Sequence, residues 1–171
     1  RTHLLRVHLN RFATYILIYY TSSTMTAEDV SRLRAETGAG IMDCKRALTE
    51  AAGDFNVAKD RLAAQGLARA EKKESRETGA GHLESYIHGG RIGVLLEMRC
   101  ETDFVARGEM FRELARSIAM HISATDPATV DELMAQPFVR DEAITIEALV
   151  KGVVAKTGEN IRIARIARFA L

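Results

Sequence analysis

Apolar residues early in the chain recur at the three- and four-residue spacing that is typical of amphipathic helices. The pattern predicts three short helices. The first begins at Thr26 as its N-cap and stops at Gly38. The second opens after Gly40, and the third covers residues 56–65 and is ended by Gly66. The positions predicted to face inward are Val30, Leu33, Thr37, Ile41, Cys44, Leu48, Ala51, Val57, Ala58 and Leu62.

The pattern then changes to the alternation that is typical of strands. Residues 83–88 and 92–99 alternate on either side of Gly89-Gly90, which predicts a β-hairpin. A last strand is predicted over residues 161–169. Its alternation slips at Ala164-Arg165, which indicates a bulge or bend.

Helical spacing returns between the hairpin and the last strand. A long helix opens at Gly108-Glu109 and ends at Asp126-Pro127. Its predicted buried stripe is Phe111, Leu114, Ala115, Ile118 and Ile122. A short helix over residues 130–135 and another over 146–156, capped by Thr145 and ended by Gly158, complete the pattern.

These elements predict an α+β fold, in which an N-terminal three-helix bundle precedes a small antiparallel sheet packed with helices. The bundle resembles the ubiquitin-associated type of three-helix domain. The predicted organisation is an extension outside the fold at residues 1–24, the three-helix domain at 25–66, a linker at 67–81 and the α+β domain at 82–171. The linker is densely charged, which favours a solvated helix with local ion pairs.

The first 24 residues differ from the rest, because they contain three arginines and no acidic residue. Their apolar stretch at 12–20 is too short to span a bilayer, so no membrane association is predicted. Three interpretations are open: a mitochondrial-type transit peptide, a signal-like segment, or a segment foreign to the natural protein. We favour the last of these. The expected location is the bacterial cytoplasm, or the mitochondrial matrix if the segment is a transit peptide.

The composition of the chain excludes some classes of function. Hydrophobic residues make up 47% of the chain and charged residues 27%, as in globular proteins. The net charge of the chain is +1. From Met25 onward there are 21 basic and 23 acidic residues, and this slightly negative balance argues against a nucleic-acid partner. Cys44 and Cys100 lie in apolar surroundings and are predicted to be buried free thiols, and no metal-ligand spacing is present.

An enzymatic role is not predicted. No glycine pattern follows a strand in the form that binds a dinucleotide, and no phosphate-binding loop with lysine is present. The histidines lack a nucleophile at recognisable spacing. We therefore expect no catalytic residue and no cofactor or metal.

Residues 100–107 form the most informative stretch, because they join a predicted strand to a predicted helix. Thr102 or Asp103 is expected to cap a helix. Phe104 packs inward or projects as an apolar wedge into a partner, and spacing alone favours the inward position. Two further residues stand out. Met42 lies on a polar helix face, and His121 lies near the buried stripe, where a satisfied, partly buried histidine is expected.

Three motifs resemble the elongation factor Ts family. Thr102-Asp103-Phe104-Val105-Ala106 resembles its signature loop. The segment that starts at Thr37-Gly38-Ala39-Gly40-Ile41-Met42 resembles its N-terminal module, and Thr157-Gly158-Glu159-Asn160-Ile161-Arg162 resembles its closing strand. The three stand in the family's order, and the similarity runs from about residue 25 to the end of the chain.

The resemblance implies a guanine-nucleotide exchange factor that binds the GDP form of elongation factor Tu and promotes GDP release by disturbing its magnesium site. The partner-binding residues that it implies are Arg34, Ile41, Met42, Thr102, Asp103, Phe104, Val105 and His121. The chain has room for one α+β unit, as in the short form of the family, which implies a homodimer. The alternative function is a non-catalytic adaptor with a three-helix docking module.

Overall fold

The computed structural model of the chain describes residues 26–171, so the extension predicted at 1–24 lies outside the described residues. The described residues divide into two compact units, one that ends at Ala63 and one that covers Ala64–Leu171. The described elements are helices and small antiparallel sheets, which confirms the predicted α+β class. No helix within residues 26–171 combines the length and the apolar character that a membrane-spanning helix needs.

The first unit contains helices α1 (Ala27–Thr37) and α2 (Ile41–Glu50) and the start of α3 (Phe55–Glu71). Thr26 caps α1 through a capping box with Asp29, as predicted from the sequence. Gly38 ends α1 with φ of 70°, a conformation that glycine adopts without steric cost. The buried side chains of this unit are Val30, Leu33, Cys44, Ala47, Leu48, Ala58 and Leu62.

Two predicted inward positions of this unit are wrong. Ile41 is 55% exposed and Val57 is also exposed, because the packed face of each helix is narrower than the sequence stripe suggests. The predicted end of α3 at Gly66 is also wrong. The helix continues to Glu71, and a Cβ at Gly66 would lie only 3.0 Å from the Cβ of Ala155. Gly66 therefore provides space for close packing inside a helix.

The second unit is built around a three-stranded sheet. In chain order its elements are β1 (Ala80–His88), β2 (Ile92–Cys100), α4 (Asp103–Arg107), α5 (Glu109–Thr125), α6 (Val130–Ala135), β3 (Pro137–Phe138), β4 (Asp141–Thr145), α7 (Ile146–Thr157) and β5 (Ile161–Ala170). The strand order is β1-β2-β5, and both pairings are antiparallel. The two-stranded ribbon of β3 and β4 was not expected from the sequence, because one of its strands has only two residues.

The hairpin and the bulge predicted from the sequence are both confirmed. Gly89 and Gly90 form the turn between β1 and β2 with φ of 56° and 68°. On the other side of β2, Glu97 pairs with Arg165 and Met98 with Ile163, so Ala164 is the extra residue. The bulge shifts the alternation of β5 by one position, as the sequence pattern indicates.

One face of the sheet carries the main core. Helix α5 packs against β1 and β2. The predicted stripe of α5 is confirmed, since all five of its residues are buried, and the buried residues of β2 are Val94, Leu96, Met98 and Cys100. Ala70, which lies within the predicted linker, is also buried in this core, whereas its helical neighbours at 67–69 and 71 are exposed, as predicted for a solvated helix.

The opposite face of the sheet is apolar at one end and charged at the other. At the apolar end, the exposed side chains are Ile87, Leu95 and Phe169, whereas the exposed Leu83 pairs with Glu97 at the charged end. The register places Gly93 between Ile87 and Phe169. At the charged end, Arg165 and Arg99 donate hydrogen bonds to Glu97, and these bonds, that of Arg165 first, hold the pKa of the Glu97 carboxyl below its usual range.

Candidate functional site

The short helix α4 presents an aromatic side chain to solvent. Thr102 is its N-cap, and the Thr102 hydroxyl accepts a hydrogen bond from the Val105 N–H at 3.4 Å. Phe104 is 87% exposed, whereas Val105 and Ala106 are buried against the core. The helix is therefore anchored through one side while Phe104 projects from the other.

This geometry decides between the alternatives that the sequence left open. The predicted cap at Thr102 is confirmed, although it caps α4 and not the long helix α5. The inward position of Phe104 is wrong, because only about an eighth of its surface is covered. Asp103 is exposed beside it. Val105 is buried, so the predicted partner-binding residues of the loop divide into outward and inward members.

Two glutamates cross-link this loop to the start of β5. Glu159 accepts hydrogen bonds from the Thr102 N–H at 3.0 Å and from the Thr102 hydroxyl at 2.7 Å. In the opposite direction, Glu101 accepts a hydrogen bond from the Asn160 N–H at 2.6 Å. Each glutamate thus bonds to the backbone of the other segment, although Thr102 and Glu159 are 57 residues apart.

A third segment joins this cross-link through the side chain of Asn160. Its Nδ2 donates to the carbonyl oxygens of Glu74 and Arg76, at 3.1 and 2.8 Å. The Arg76 guanidinium lies 3.4 Å from Glu101. The Asn160 N–H and, to a lesser degree, the charge of Arg76 hold the pKa of the Glu101 carboxyl below its usual range.

Cys100 precedes the loop and is buried, and both Cys100 and Cys44 are free thiols, as predicted. The Cys100 Sγ donates to the Thr102 carbonyl oxygen at 3.2 Å. Burial, and then the negative charge of Glu159, raise the pKa of the Cys100 thiol. The thiol therefore serves as a small core residue with a weak donor.

Sequence reasoning missed the supporting role of Glu159 and Asn160. Both lie in the motif at residues 157–162, so the sequence marks the segment that contains them without indicating what they bond. Their bonding partners were not predictable, because the contacts join segments far apart in the chain.

Three other predicted contact residues, Arg34, Ile41 and Met42, lie in the first unit. Ile41 and Met42 are the first two residues of α2, and Met42 is 68% exposed, as its polar surroundings indicated. Arg34 lies in the last turn of α1 and is exposed. The N-cap of α2 is Gly40, which has no side chain to bond the free N–H groups of the first turn.

His121 is buried in the second unit. Its Nε2 lies 2.9 Å from Gln136 Oε1, and its Nδ1 accepts a hydrogen bond from the Val139 N–H at 3.3 Å. Burial lowers the pKa of the imidazole. The ring joins α5 to the β3–β4 ribbon and has no surface free for direct contact with a partner.

Known proteins resemble the chain over most of its length. A model of the family described as elongation factor TS matches residues 101–171. "Elongation factor Ts" of Cyanothece sp. is 41% identical, with 86% of this chain and 74% of that protein covered. "Elongation factor Ts" of Thermodesulfovibrio yellowstonii is 40% identical (85% and 95% covered). "Elongation factor Ts, chloroplastic" of Cyanidioschyzon merolae is 39% identical (84% and 92% covered).

The match with the Cyanothece protein extends over 194 aligned positions, which is more than the 171 residues of this chain. That relative therefore has residues within the matched span that this chain lacks. Identity near 40% over more than four fifths of the chain, together with the family match across the signature loop, leaves no ambiguity about descent. The chain belongs to the elongation factor Ts family of translation elongation factors.

Proposed function

We propose that this protein is a guanine-nucleotide exchange factor for elongation factor Tu. The observation that carries the proposal is Phe104, a large apolar side chain that is 87% exposed on a short helix whose other side is buried. Exposed aromatic residues on anchored elements are suited to insert into a partner. The exchange factor performs no chemical step of its own, so it is not an enzyme in the usual sense.

In the proposed mechanism the protein binds the GDP form of elongation factor Tu. Arg34, Ile41 and Met42 contact the GTPase domain, and Asp103 and Phe104 insert beside its magnesium site. Magnesium neutralises phosphate charge, so displacing the ion weakens nucleotide binding. An aromatic anchor in a desolvated pocket contributes about 2 kcal/mol or more, which is enough to favour a partner conformation that binds GDP poorly.

The alternative is an adaptor that binds the same partner without affecting its nucleotide. The two functions differ in one thermodynamic property. An exchange factor and GDP must weaken each other's binding to the partner, and this coupling free energy is reciprocal. An adaptor shows no such coupling. The exposure of Phe104 fits either function, and membership of the elongation factor Ts family favours the exchange factor.

The test is a Phe104→Ala variant, measured for release of fluorescent GDP from elongation factor Tu and for thermal unfolding on the same sample. We expect stimulated release to fall by roughly tenfold or more, which corresponds to about 1.4 kcal/mol or more of lost coupling. We expect the melting temperature to be unchanged, since the side chain contributes little to the core. Val139→Ala, which also shortens an exposed apolar side chain, is the control and should retain full exchange.

Two results would contradict the proposal. Undiminished exchange by Phe104→Ala would show that the wedge is not used. A large drop in melting temperature would show that Phe104 is a core residue after all, since core truncation of a phenylalanine costs about 3 to 5 kcal/mol. A parent protein that binds elongation factor Tu with equal affinity in the presence and absence of GDP would favour the adaptor.

We also propose that two copies of the chain form a homodimer through the apolar end of the open sheet face. Three large apolar side chains, Ile87, Leu95 and Phe169, are exposed there in adjacent rows of the sheet. The same patch on two copies can pack by two-fold symmetry. A second copy would also supply a second α+β unit beside the one that residues 80–171 form.

Light scattering at micromolar concentration tests the dimer. We expect a mass of about twice the 18.9 kDa of one chain. Phe169→Lys should shift the protein to monomer, because it places a charge among apolar side chains. Arg162→Lys, at the charged end of the same face, should remain dimeric. A monomeric parent protein at micromolar concentration would contradict the proposal.

A further inference from the structure

The hydroxyl of Thr102 makes two hydrogen bonds with opposite roles. It accepts from the Val105 N–H, which is the capping bond of α4, and it donates its single proton to Glu159 Oε1. The second oxygen of the same carboxylate accepts the Thr102 N–H. The Glu159 carboxylate therefore accepts from both donors of Thr102, the N–H and the hydroxyl. Because the hydroxyl proton points at Glu159, an oxygen lone pair is directed at the Val105 N–H that it caps.

Glu159 is itself held on a fixed backbone. Gly158 ends α7 with φ of 78°, and the Thr157 hydroxyl accepts the Glu159 N–H at 3.4 Å. Lys73 Nζ donates to the Gly158 carbonyl oxygen at 2.8 Å. On its other side, Asn160 is buried and bonded to three backbone or side-chain groups of other segments. The carboxylate therefore projects from an anchored turn.

We propose that Glu159 is a positioning residue for Phe104. It holds Thr102 through both carboxylate oxygens and so fixes the orientation of the short helix from which Phe104 projects. The inference rests on the proposed exchange function, because it explains how the wedge is kept rigid before the partner arrives. A side chain that is already ordered loses less conformational entropy when it inserts, so the complex gains affinity for the inserted state.

The chemistry of the contact requires a carboxylate. The two donors of Thr102 face two different oxygens, and hydrogen bonds to an ionised acceptor are stronger than bonds between neutral groups. A glutamine at 159 offers only one oxygen. Its amide group would face one of the two donors, and the Thr102 hydroxyl would have to turn away to avoid it. Glu159→Gln should therefore be intermediate between the parent protein and Glu159→Ala.

The experiment measures the order of the loop and nucleotide exchange separately. Amide hydrogen exchange at 102–106 reports the loop in the free protein. A second reporter is Phe104→Trp, since the chain has no other tryptophan, and its fluorescence anisotropy reports motion of the side chain. Exchange assays over a range of protein concentrations give the maximal rate of GDP release and the half-saturating concentration. Glu113→Ala, an exposed glutamate on α5, is the control.

For Glu159→Ala we expect protection at 102–106 to fall by roughly tenfold or more, since the carboxylate accepts two charge-assisted bonds there. The anisotropy of the tryptophan should fall as well. The maximal exchange rate should fall several-fold while the half-saturating concentration stays within about twofold, because the first unit still docks. Glu159→Gln should recover part of each loss, and Glu113→Ala should show none.

The failures of the two proposals are distinguishable. If the parent protein stimulates GDP release and Glu159→Ala keeps full protection, anisotropy and rate, the positioning role is wrong. If the loop of Glu159→Ala becomes mobile and yet GDP release by the parent is not stimulated at all, the exchange function is wrong. Lower melting temperature with an unchanged loop signal would make Glu159 a stabilising residue only and would also overturn the positioning role.

Discussion

The two candidate contact regions, one in each unit, present an apolar side chain in the same way but hold it differently. Met42 and Phe104 are each the second residue of a helix, α2 and α4, and both are mostly exposed. α4 is capped by the Thr102 side chain, and that cap is tied to a carboxylate 57 residues away. α2 has Gly40 as its N-cap, with no side-chain cap.

The segment around Met42 is held mainly by apolar packing. Cys44, Ala47 and Leu48 of the same helix are buried, and Cys44 Sγ donates to the carbonyl oxygen of nearby Ala39 at 3.7 Å. The buried side chains of α2 share one core with buried residues of α1 and α3. The loop around Phe104, in contrast, depends on polar bonds from two distant segments.

The difference suggests a division of roles. A side chain that only adds apolar contact can sit on an adaptable helix face, and methionine is well suited to this because it is flexible. A wedge that must hold a partner in an unfavourable conformation works only if it is rigid. We therefore expect changes around Phe104 to lower the maximal rate of exchange, and changes around Met42 to weaken docking.

The largest expected effect comes from cutting the distant bonds of the loop at Asn160. In Asn160→Ala, the carbonyl oxygens of Glu74 and Arg76 lose the buried amide that donates to them. Two part-buried hydrogen bonds are lost, each contributing about 0.5 to 1.5 kcal/mol, so the midpoint of urea unfolding should fall clearly. Among the described residues of the first unit, no single polar side chain should lower the urea midpoint by a comparable amount when it is replaced by alanine.

Asn56→Ala provides the matched control, because Asn56 is exposed on α3. Its effect on unfolding should lie within about 0.5 kcal/mol, as for most surface substitutions. Equal losses of stability in the two variants would remove the contrast between a loop fixed by polar bonds to distant segments and a helix fixed by apolar packing.

The same contrast explains what the sequence could predict. Caps, glycine stops and buried stripes depend on residues a few positions apart, and those at Thr26, Gly38, Thr145 and Gly158 are confirmed, as is the stripe of α5. The hairpin turn at Gly89-Gly90 is local as well. The slip at Ala164 was visible because a bulge shifts the alternation within one strand.

What could not be predicted depends on contacts between distant segments. Gly66 is a helix breaker by propensity, but close packing on Ala155 keeps it inside α3. Spacing alone placed Phe104 inward, because the five-residue helix that turns it outward has too few residues to show periodicity. The bonds of Glu159 and Asn160 leave no trace in the local pattern, although the motif that contains them was recognised.

A second polar connection between distant segments, at His121, is expected to make stability depend on pH. The neutral ring with its proton on Nε2 satisfies both neighbours, whereas a charged ring would point an N–H at the Val139 N–H. The pKa of His121 is lowered by burial, so the unfolded chain binds the extra proton first. Stability should therefore be constant above about pH 6.5 and fall below it, by at most about 1.4 kcal/mol per pH unit.

Thermal unfolding between pH 7.5 and 5.5 checks this expectation. His121→Gln should remove most of the slope, even though the variant itself is less stable. His88→Gln, at the exposed end of β1, should keep the slope of the parent protein. A parent protein whose melting temperature is flat over this range would show that His121 does not couple folding to protons.

The smallest expected effect is that of Met42→Ala on nucleotide exchange. This variant tests directly whether Met42 and Phe104 have different roles. Met42→Ala should not change the melting temperature, because the side chain is 68% exposed. If it contacts elongation factor Tu, the half-saturating concentration in the exchange assay should rise about threefold, or about 0.6 kcal/mol, which is typical of interface residues outside the few dominant ones. The maximal rate should not change, since Phe104 and its supports are intact. Val57→Ala, an exposed apolar residue on α3 of the same unit, is the control and should match the parent in both quantities. A lowered maximal rate with unchanged half-saturation would mean that Met42 acts in the exchange step itself, and the division of roles between the two regions would have to be abandoned.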